Sequence, residues 1–348
     1  MKRLFLCLLA MTPVSASSTL MAQDVSASAE AGFRTYAALL GQQALAAGVS
    51  QATVDAVVPT LFLHQRVIDL DRAQPGGNPN DPNAPIPKFA PYAARHVDSA
   101  RINRGRAKYQ ELRGLLGKVE RQTGVPEAIM VAIYGHETNY GSYTGDFDLA
   151  NSLASLAFEG RRRALFAGEF IATLKMMDKG FPRDKLKGSW AGATGYPQFL
   201  PSMYLRLGRD GDGDGVADIW RSEADALASI ANYFVAAGWR AGQPWGVRAA
   251  VPVGLDRAAL ANRTTAPRCA RVHGRISRWL TVNEWRALGV SQASGAPLDG
   301  NVMASLLEPD GPGTPAYLLT GNYRVILDYN CSNFYGLSVG LLADAVEK

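Results

Sequence analysis

The sequence predicts a mainly α-helical (α+β) chain, and three observations carry that expectation. Apolar residues recur at helical spacing through much of the chain up to about residue 246. Helix-start and helix-stop signals punctuate them, such as Gly124-Val125-Pro126-Glu127 and Gly180-Phe181-Pro182. Beyond Val247 the texture changes to short Val/Arg/Leu runs, which read as a small β-containing part. The 348 residues are 47% hydrophobic and 19% charged, which suits packed domains and excludes a disordered or fibrous chain.

The elements follow in order. Met1-Lys2-Arg3 and the apolar run from Leu4 to Met11 read as an export leader, with small-residue sites at Val14-Ser15-Ala16 and Leu20-Met21-Ala22. That run is far short of the roughly 20 residues a membrane-spanning helix needs. Cys7 lies inside it, too early for a lipid-attachment cysteine, so a soluble exported product is expected. Residues 31–71 are Ala-rich, with Phe33, Leu39, Leu40 and Ala44 near a helical repeat. Residues 74–91 hold a Pro-rich loop, and helical patterning resumes over about 99–123. A helix carrying Ile129, Met130, Ile133 and Tyr134 is expected over 126–137, others over 162–179 and 223–237. Residues 281–285 and 323–327 read as strand-like, and a closing helix starts near Gly336.

Removing residues 1–22 leaves 34 basic against 31 acidic residues, a net charge of +3. That is too mild to argue for nucleic acid. Cys269 and Cys331 remain, either as a disulfide or as two separate thiols. Four scattered histidines lack zinc-ligand spacing, and no phosphate-binding Gly loop or Gly-x-Ser-x-Gly elbow is present.

Two motifs carry chemistry. Glu137 ends a predicted apolar helix in Tyr134-Gly135-His136-Glu137-Thr138-Asn139-Tyr140-Gly141. The negative end of the helix dipole and apolar surroundings both disfavour its ionised form. A carboxyl protonated near neutral pH can act as a general acid on a glycosidic oxygen, although a Glu at a helix end is ordinarily a solvated or capping residue. The second motif is Asp210-Gly211-Asp212-Gly213-Asp214-Gly215-Val216-Ala217-Asp218, with acids at positions 1, 3, 5 and 9 and Gly at 6 of a calcium loop of EF-hand type. Position 12 is Arg221 instead of Glu. The alternative is a metal-free turn in which Asp225 only caps the next helix, as in Ser222-x-x-Asp225.

The segment around Glu137 resembles the catalytic motif of the lytic murein transglycosylase B family, glycoside hydrolase family 103. The likeness continues through 149–158, Arg161-Arg162-Arg163, 186–202, Ile230-Ala231-Asn232-Tyr233-Phe234, Gly238-Trp239 and Tyr329-Asn330 with Tyr335, covering about residues 60–345. The resemblance implies a lysozyme-like catalytic core with extra N-terminal helices and a small β-containing subdomain near the C-terminus. The layout it supports is a leader over 1–22, a helical region over 23–123, the core over 124–246, the β-containing subdomain over 247–335 and the closing helix over 336–348.

The same resemblance implies a periplasmic enzyme that cuts the bond between N-acetylmuramic acid and N-acetylglucosamine in peptidoglycan and leaves 1,6-anhydro ends. Glu137 is then the only catalytic carboxyl. Ser189, Gln198, Tyr233 and Asn330 would line the reacting sugar. Arg162 and Arg163 would meet lactyl or peptide carboxylates, and Tyr196, Phe199, Tyr329 and Tyr335 would pack on sugar faces, with Tyr92 beside them. A structural Ca²⁺ is expected on Asp210, Asp212, Asp214, Val216 and Asp225, the last taking the closing place. No organic cofactor is expected, and a monomer acting on glycan strands is; any cell-wall synthesis or secretion complex that recruits it is not written in the sequence. His136, Tyr140 and Pro197 depart modestly from the family pattern. Two rivals remain: a hydrolytic muramidase of the same fold, with Asp146, Asp148 or Glu159 as second carboxylate, and a non-catalytic murein-binding scaffold.

Overall fold

The structure is a computed structural model that describes residues 16–74, 87–266, 268–295 and 297–348, with side chains from residue 27. Residues 1–15 of the expected leader and most of the Pro-rich loop lie outside these described parts, whereas residues 16–22 of the expected leader begin the first helix. The helices in chain order are α1 (Ala16–Ala46), α2 (Gln51–Val57), α3 (Gln65–Arg72), α4 (Phe89–His96), α5 (Ser99–Glu111), α6 (Arg113–Thr123), α7 (Glu127–Thr138) and α8 (Leu149–Glu159). They continue with α9 (Arg163–Asp178), α10 (Pro201–Leu207), α11 (Glu223–Ala236), α12 (Ala270–His273), α13 (Val282–Ala287), α14 (Gly321–Tyr329) and α15 (Asn333–Val346). The chain is mainly helical, as expected, and it divides into two compact units.

The first unit holds α1, α2, α3, α8 and α9. Phe33, Leu40, Val67, Leu149, Leu153 and Phe170 are fully buried and form its core. Polar ties fix the helix ends. Asp178 at the end of α9 accepts from the Ser50 amide (2.8 Å) and hydroxyl (2.7 Å) at the start of α2. Asn151 and Ser155 on α8 accept from the amides of Phe62 and His64, satisfying backbone donors that no helix pairs.

The second unit is built around α7, which packs against α5, α6, α11 and α15. Every residue from Ala128 to Gly135 is buried, so α7 is apolar all round, as a helix at the centre of a bundle must be. Its C-terminal part carries the same unit's five-stranded antiparallel sheet, with strands in the spatial order Leu280–Thr281, Met303–Leu307, Ala316–Leu319, Gly246–Ala250 and Ser291–Gln292. Trp285, Val290, Ala304, Leu306 and Leu318 fill the core under that sheet. The Trp285 indole donates to the Ala304 carbonyl at 3.0 Å.

Two expectations fail here for a shared reason. Residues 281–285 contribute only Thr281 to a strand and then form α13, because Thr281 and Glu284 close a capping box. Residues 323–327 lie inside α14, whose N-cap Thr320 accepts from the Asn322 amide. Their β-branched composition misleads; the buried set Tyr323, Ile326 and Leu327 is spaced three and four apart. The strands lie instead at Met303–Leu307 and Ala316–Leu319. Cys269 and Cys331 form a disulfide that ties the start of α12 to the segment before α15.

Candidate active site

Glu137 occupies the last turn of α7. Three consecutive residues beyond it, Asn139, Tyr140 and Gly141, take left-handed backbone conformations, with φ of 51°, 60° and 79°. This turn is held from several sides. The Thr138 hydroxyl donates to the Tyr196 carbonyl (3.3 Å), the Tyr140 hydroxyl to the Arg101 carbonyl (3.0 Å) and Arg104 to the Asn139 side chain (2.8 Å). The hydroxyl end of the Tyr140 ring lies against Gly135, where a Cβ would come within 2.5 Å of it. Only glycine permits that approach two residues before Glu137.

The Tyr335 hydroxyl, in the first turn of α15, donates to Glu137 Oε1 at 2.6 Å. Burial pushes the Glu137 carboxyl up to about 7, and the Tyr335 hydrogen bond pulls the other way. Burial also raises the Tyr335 phenol well above its usual range, with the Glu137 charge adding to it, so the phenol stays a donor.

A column of rings backs this pair. Tyr92 stacks on His96 with centroids 3.9 Å apart, His96 lies 6.0 Å from His136, and His136 lies 5.5 Å from Tyr335. Burial pulls His136 down to about 3, so it stays neutral beside Glu137. The sequence showed these histidines only as residues without metal spacing; their stacking depends on α4, α7 and α15 meeting.

The other candidates fall into three groups. Phe199, Tyr233 and Tyr329 pack on one another with centroids 4.7–6.0 Å apart. Their hydroxyls are engaged: Tyr233 donates to the Asp328 carbonyl (2.7 Å) and Tyr329 to the Pro197 carbonyl (2.5 Å). Phe199 and Tyr233 are buried, so their faces are spent largely within the fold. Ser189, Tyr196, Gln198 and Asn330 retain exposure. The Ser189 hydroxyl accepts from the Ala193 amide, and the Gln198 amide group, on a residue with φ of 51°, donates to the carbonyls of Thr144 and Gly195. Tyr196 rests 5.4 Å from Tyr134, and Asn330 caps the end of α14. Arg162 and Arg163 belong to the first unit. Arg162 pairs with buried Asp71 (2.5 Å) and lies 4.7 Å over Phe166, while Arg163 lies 4.9 Å over Tyr36.

The loop from Asp210 to Asp225 is a second cluster of carboxylates in the same unit. Asp210, Asp212 and Asp214 each bring an oxygen within 4.8 Å of the other two. Asp210 accepts from the amides of Gly213 and Gly215, which hold its carboxyl below the usual range. Asp225 does not join that group. It is fully buried and accepts from the amides of Gly211, Asp212 and Asp218, so it shapes the loop from inside. Ser222 caps α11 by accepting from the Asp225 amide. Val216 is exposed and donates its amide to Asp214. The all-oxygen set of three converging acids fits a hard divalent cation.

Residues 32–344 match the family model described as the transglycosylase SLT domain. The chain belongs to this family. A curated relative, the membrane-bound lytic murein transglycosylase B of Escherichia coli, is 31% identical over 281 residues, covering 80% of this chain and 72% of that protein. Among solved structures, SltB3 from Pseudomonas aeruginosa in complex with NAG-anhNAM-pentapeptide is 38% identical with a TM-score of 0.79, covering 90% of this chain and 79% of that one. The Escherichia coli lytic transglycosylase Slt35 in complex with calcium is 28% identical with a TM-score of 0.72, covering 90% and 92%. The SLT-family chain is therefore an enzyme, a lytic transglycosylase of lysozyme-like fold. Among its described residues no helix is long and apolar enough to cross a membrane.

Proposed function

We propose that this lytic transglycosylase cleaves the β-1,4 bond between N-acetylmuramic acid and N-acetylglucosamine in peptidoglycan, with Glu137 as sole acid and base. One observation carries the reading: burial and the Tyr335 hydrogen bond oppose each other and leave Glu137 near pH 7. A residue that must first give a proton and then take one works best with a pKa near the operating pH. Protonated Glu137 gives its proton to the glycosidic oxygen as the bond to the muramoyl C1 breaks. The resulting carboxylate, steadied by Tyr335, takes the proton of the muramoyl 6-hydroxyl as that oxygen bonds to C1. Glu137 ends protonated again, and no water is consumed.

A two-carboxylate hydrolytic mechanism finds less support. Asp148 caps α8 and pairs with Arg183 (2.8 Å), and Glu159 pairs with Arg72 and Arg161. Ser189, Gln198 and Asn330 are the proposed contacts to the reacting sugar. With its amide hydrogens on Thr144 and Gly195, Gln198 presents its carbonyl oxygen as the acceptor for an acetamido N–H. Asp210, Asp212 and Asp214 would hold a structural Ca²⁺, which when bound would neutralise the loop's acids. Export to the periplasm belongs to the same reading.

Mass spectrometry of muropeptides released from purified sacculi tests it, with Glu137→Gln alongside. Products one water lighter than hydrolytic ones, absent with the variant, are expected. Hydrolytic ends would indicate a muramidase and direct attention to Asp146; tight binding without release would indicate a scaffold.

A further inference from the structure

His136 directly precedes Glu137 on α7, departs from the family pattern and carries no step of the proposed reaction. Burial first, and then Arg101 on α5 and His96 on α4, disfavour its charged form. The neutral ring nonetheless hydrogen-bonds the Ser338 carbonyl on α15. Nδ1 is the donor in that bond, because Nε2 is buried without a partner. A histidine kept neutral, with one nitrogen left unpaired, is a costly way to fill space. The other nitrogen and the ring position account for it.

The bond to Ser338 meets the catalytic pair from both sides. On α7 it starts one residue from Glu137. On α15 it ends three residues beyond Tyr335, at a serine whose hydroxyl donates to the Tyr335 carbonyl at 2.9 Å. The His136 ring also packs 5.5 Å from the Tyr335 ring and 6.0 Å from His96, whose carbonyl accepts from Arg101 at 3.5 Å. Tyr92 from α4 and Tyr329 from α14 feel the Glu137 charge as well, and burial raises both phenols so that they stay protonated. Tyr335 is the phenol that bonds Glu137, at 2.6 Å, and such a bond weakens steeply when its donor tilts away.

Resting on the reading of Glu137 as the acid and base, we propose that His136 is a positioning residue: by bonding α7 to α15 at Ser338, it holds the Tyr335 hydroxyl on Glu137. It acts through Tyr335. The donor at Nδ1 fixes the distance between the two helices at the level of the pair, and the ring beside Tyr335 fixes the tilt of the phenol. Loss of the donor frees Tyr335 to leave Glu137, and the carboxylate then loses the hydrogen bond that favours it.

The test follows the alkaline limb of the pH–rate profile on glycan strands and, independently of turnover, the NMR midpoint of the Glu137 carboxyl. His136→Leu fills the space without a donor and is expected to move both up by about one unit, as loss of the Tyr335 hydroxyl would. His136→Asn keeps a donor near the Nδ1 position and is expected to hold both near their wild-type values. In a Tyr335→Phe background His136→Leu should add nothing, because the two changes remove one interaction. Should His136→Leu not fold, His136→Gln, whose donor reaches past the Nδ1 position, takes its place with the same expectation. A limb and midpoint unmoved by loss of the donor, or a further rise of similar size in the Tyr335→Phe background, would overturn the proposal. Midpoints that move as expected in a protein that yields no anhydro ends would leave the positioning intact and sink the transglycosylase reading.

Discussion

Two groups of carboxylates in the same unit are built in opposite ways. Glu137 sits among Tyr335, His136 and Tyr329 in surroundings that disfavour charge, and its carboxyl rises to about 7. Asp210, Asp212 and Asp214 are exposed, and the backbone amides turned toward Asp210 hold it low. Burial with one hydrogen bond makes a proton carrier, whereas exposure with several amide donors favours the charged form of Asp210. Asp225 marks the boundary: it is as buried as anything near Glu137, yet its three amide donors commit it to structure.

Substitutions break this comparison at different points. The largest effect belongs to Glu137→Gln, which should lower glycan cleavage on the order of 10³-fold. The same change should stabilise the fold at high pH. Because the folded pKa lies above the ordinary 4.5, ionisation of Glu137 opposes folding; that penalty is absent below about pH 4.5 and complete above pH 7. Urea unfolding should therefore show the variant about 2 kcal/mol more stable than wild type at pH 8 and equal to it at pH 4. A variant no more stable at pH 8 would mean that Glu137 is not held against ionisation.

The acid loop gives the next effect. Asp225→Asn places an amide among three backbone donors and should cost about 2 kcal/mol with or without calcium. Asp214→Asn keeps an acceptor for the Val216 amide, so it should remove only the stabilisation that calcium adds, about 2 kcal/mol at saturating calcium. Thermal unfolding with calcium and with chelator separates the two. Identical behaviour of both variants would erase the distinction between loop-shaping and ligating acids.

Tyr335→Phe gives the smallest shift and the sharpest one. It removes the donor that favours the carboxylate, so the alkaline limb of the pH–rate profile should move up by about one unit. An unmoved limb would separate Tyr335 from the proton chemistry.

What the sequence disclosed and what it hid divide along the same physical line. Local signals placed α7, α9 and α11 within a residue or two, because apolar spacing and capping residues act within a turn. The acid loop was legible for that reason too, although the inward use of Asp225 was not. Segments 281–285 and 323–327 were misread because Val and Ile suggest strands, while Thr281 with Glu284 and Thr320 start helices. Non-local features left no trace. The Tyr335–Glu137 bond joins residues 198 apart, and the Tyr92–His96–His136–Tyr335 column needs three helices to meet.

The most direct test is an NMR titration of the Glu137 side-chain carboxyl carbon in the folded protein, assigned by its absence in Glu137→Gln. A midpoint near pH 7 is expected, rising further in Tyr335→Phe. A midpoint at the ordinary 4.5 would leave Glu137 a carboxylate at neutral pH and contradict its role as the acid.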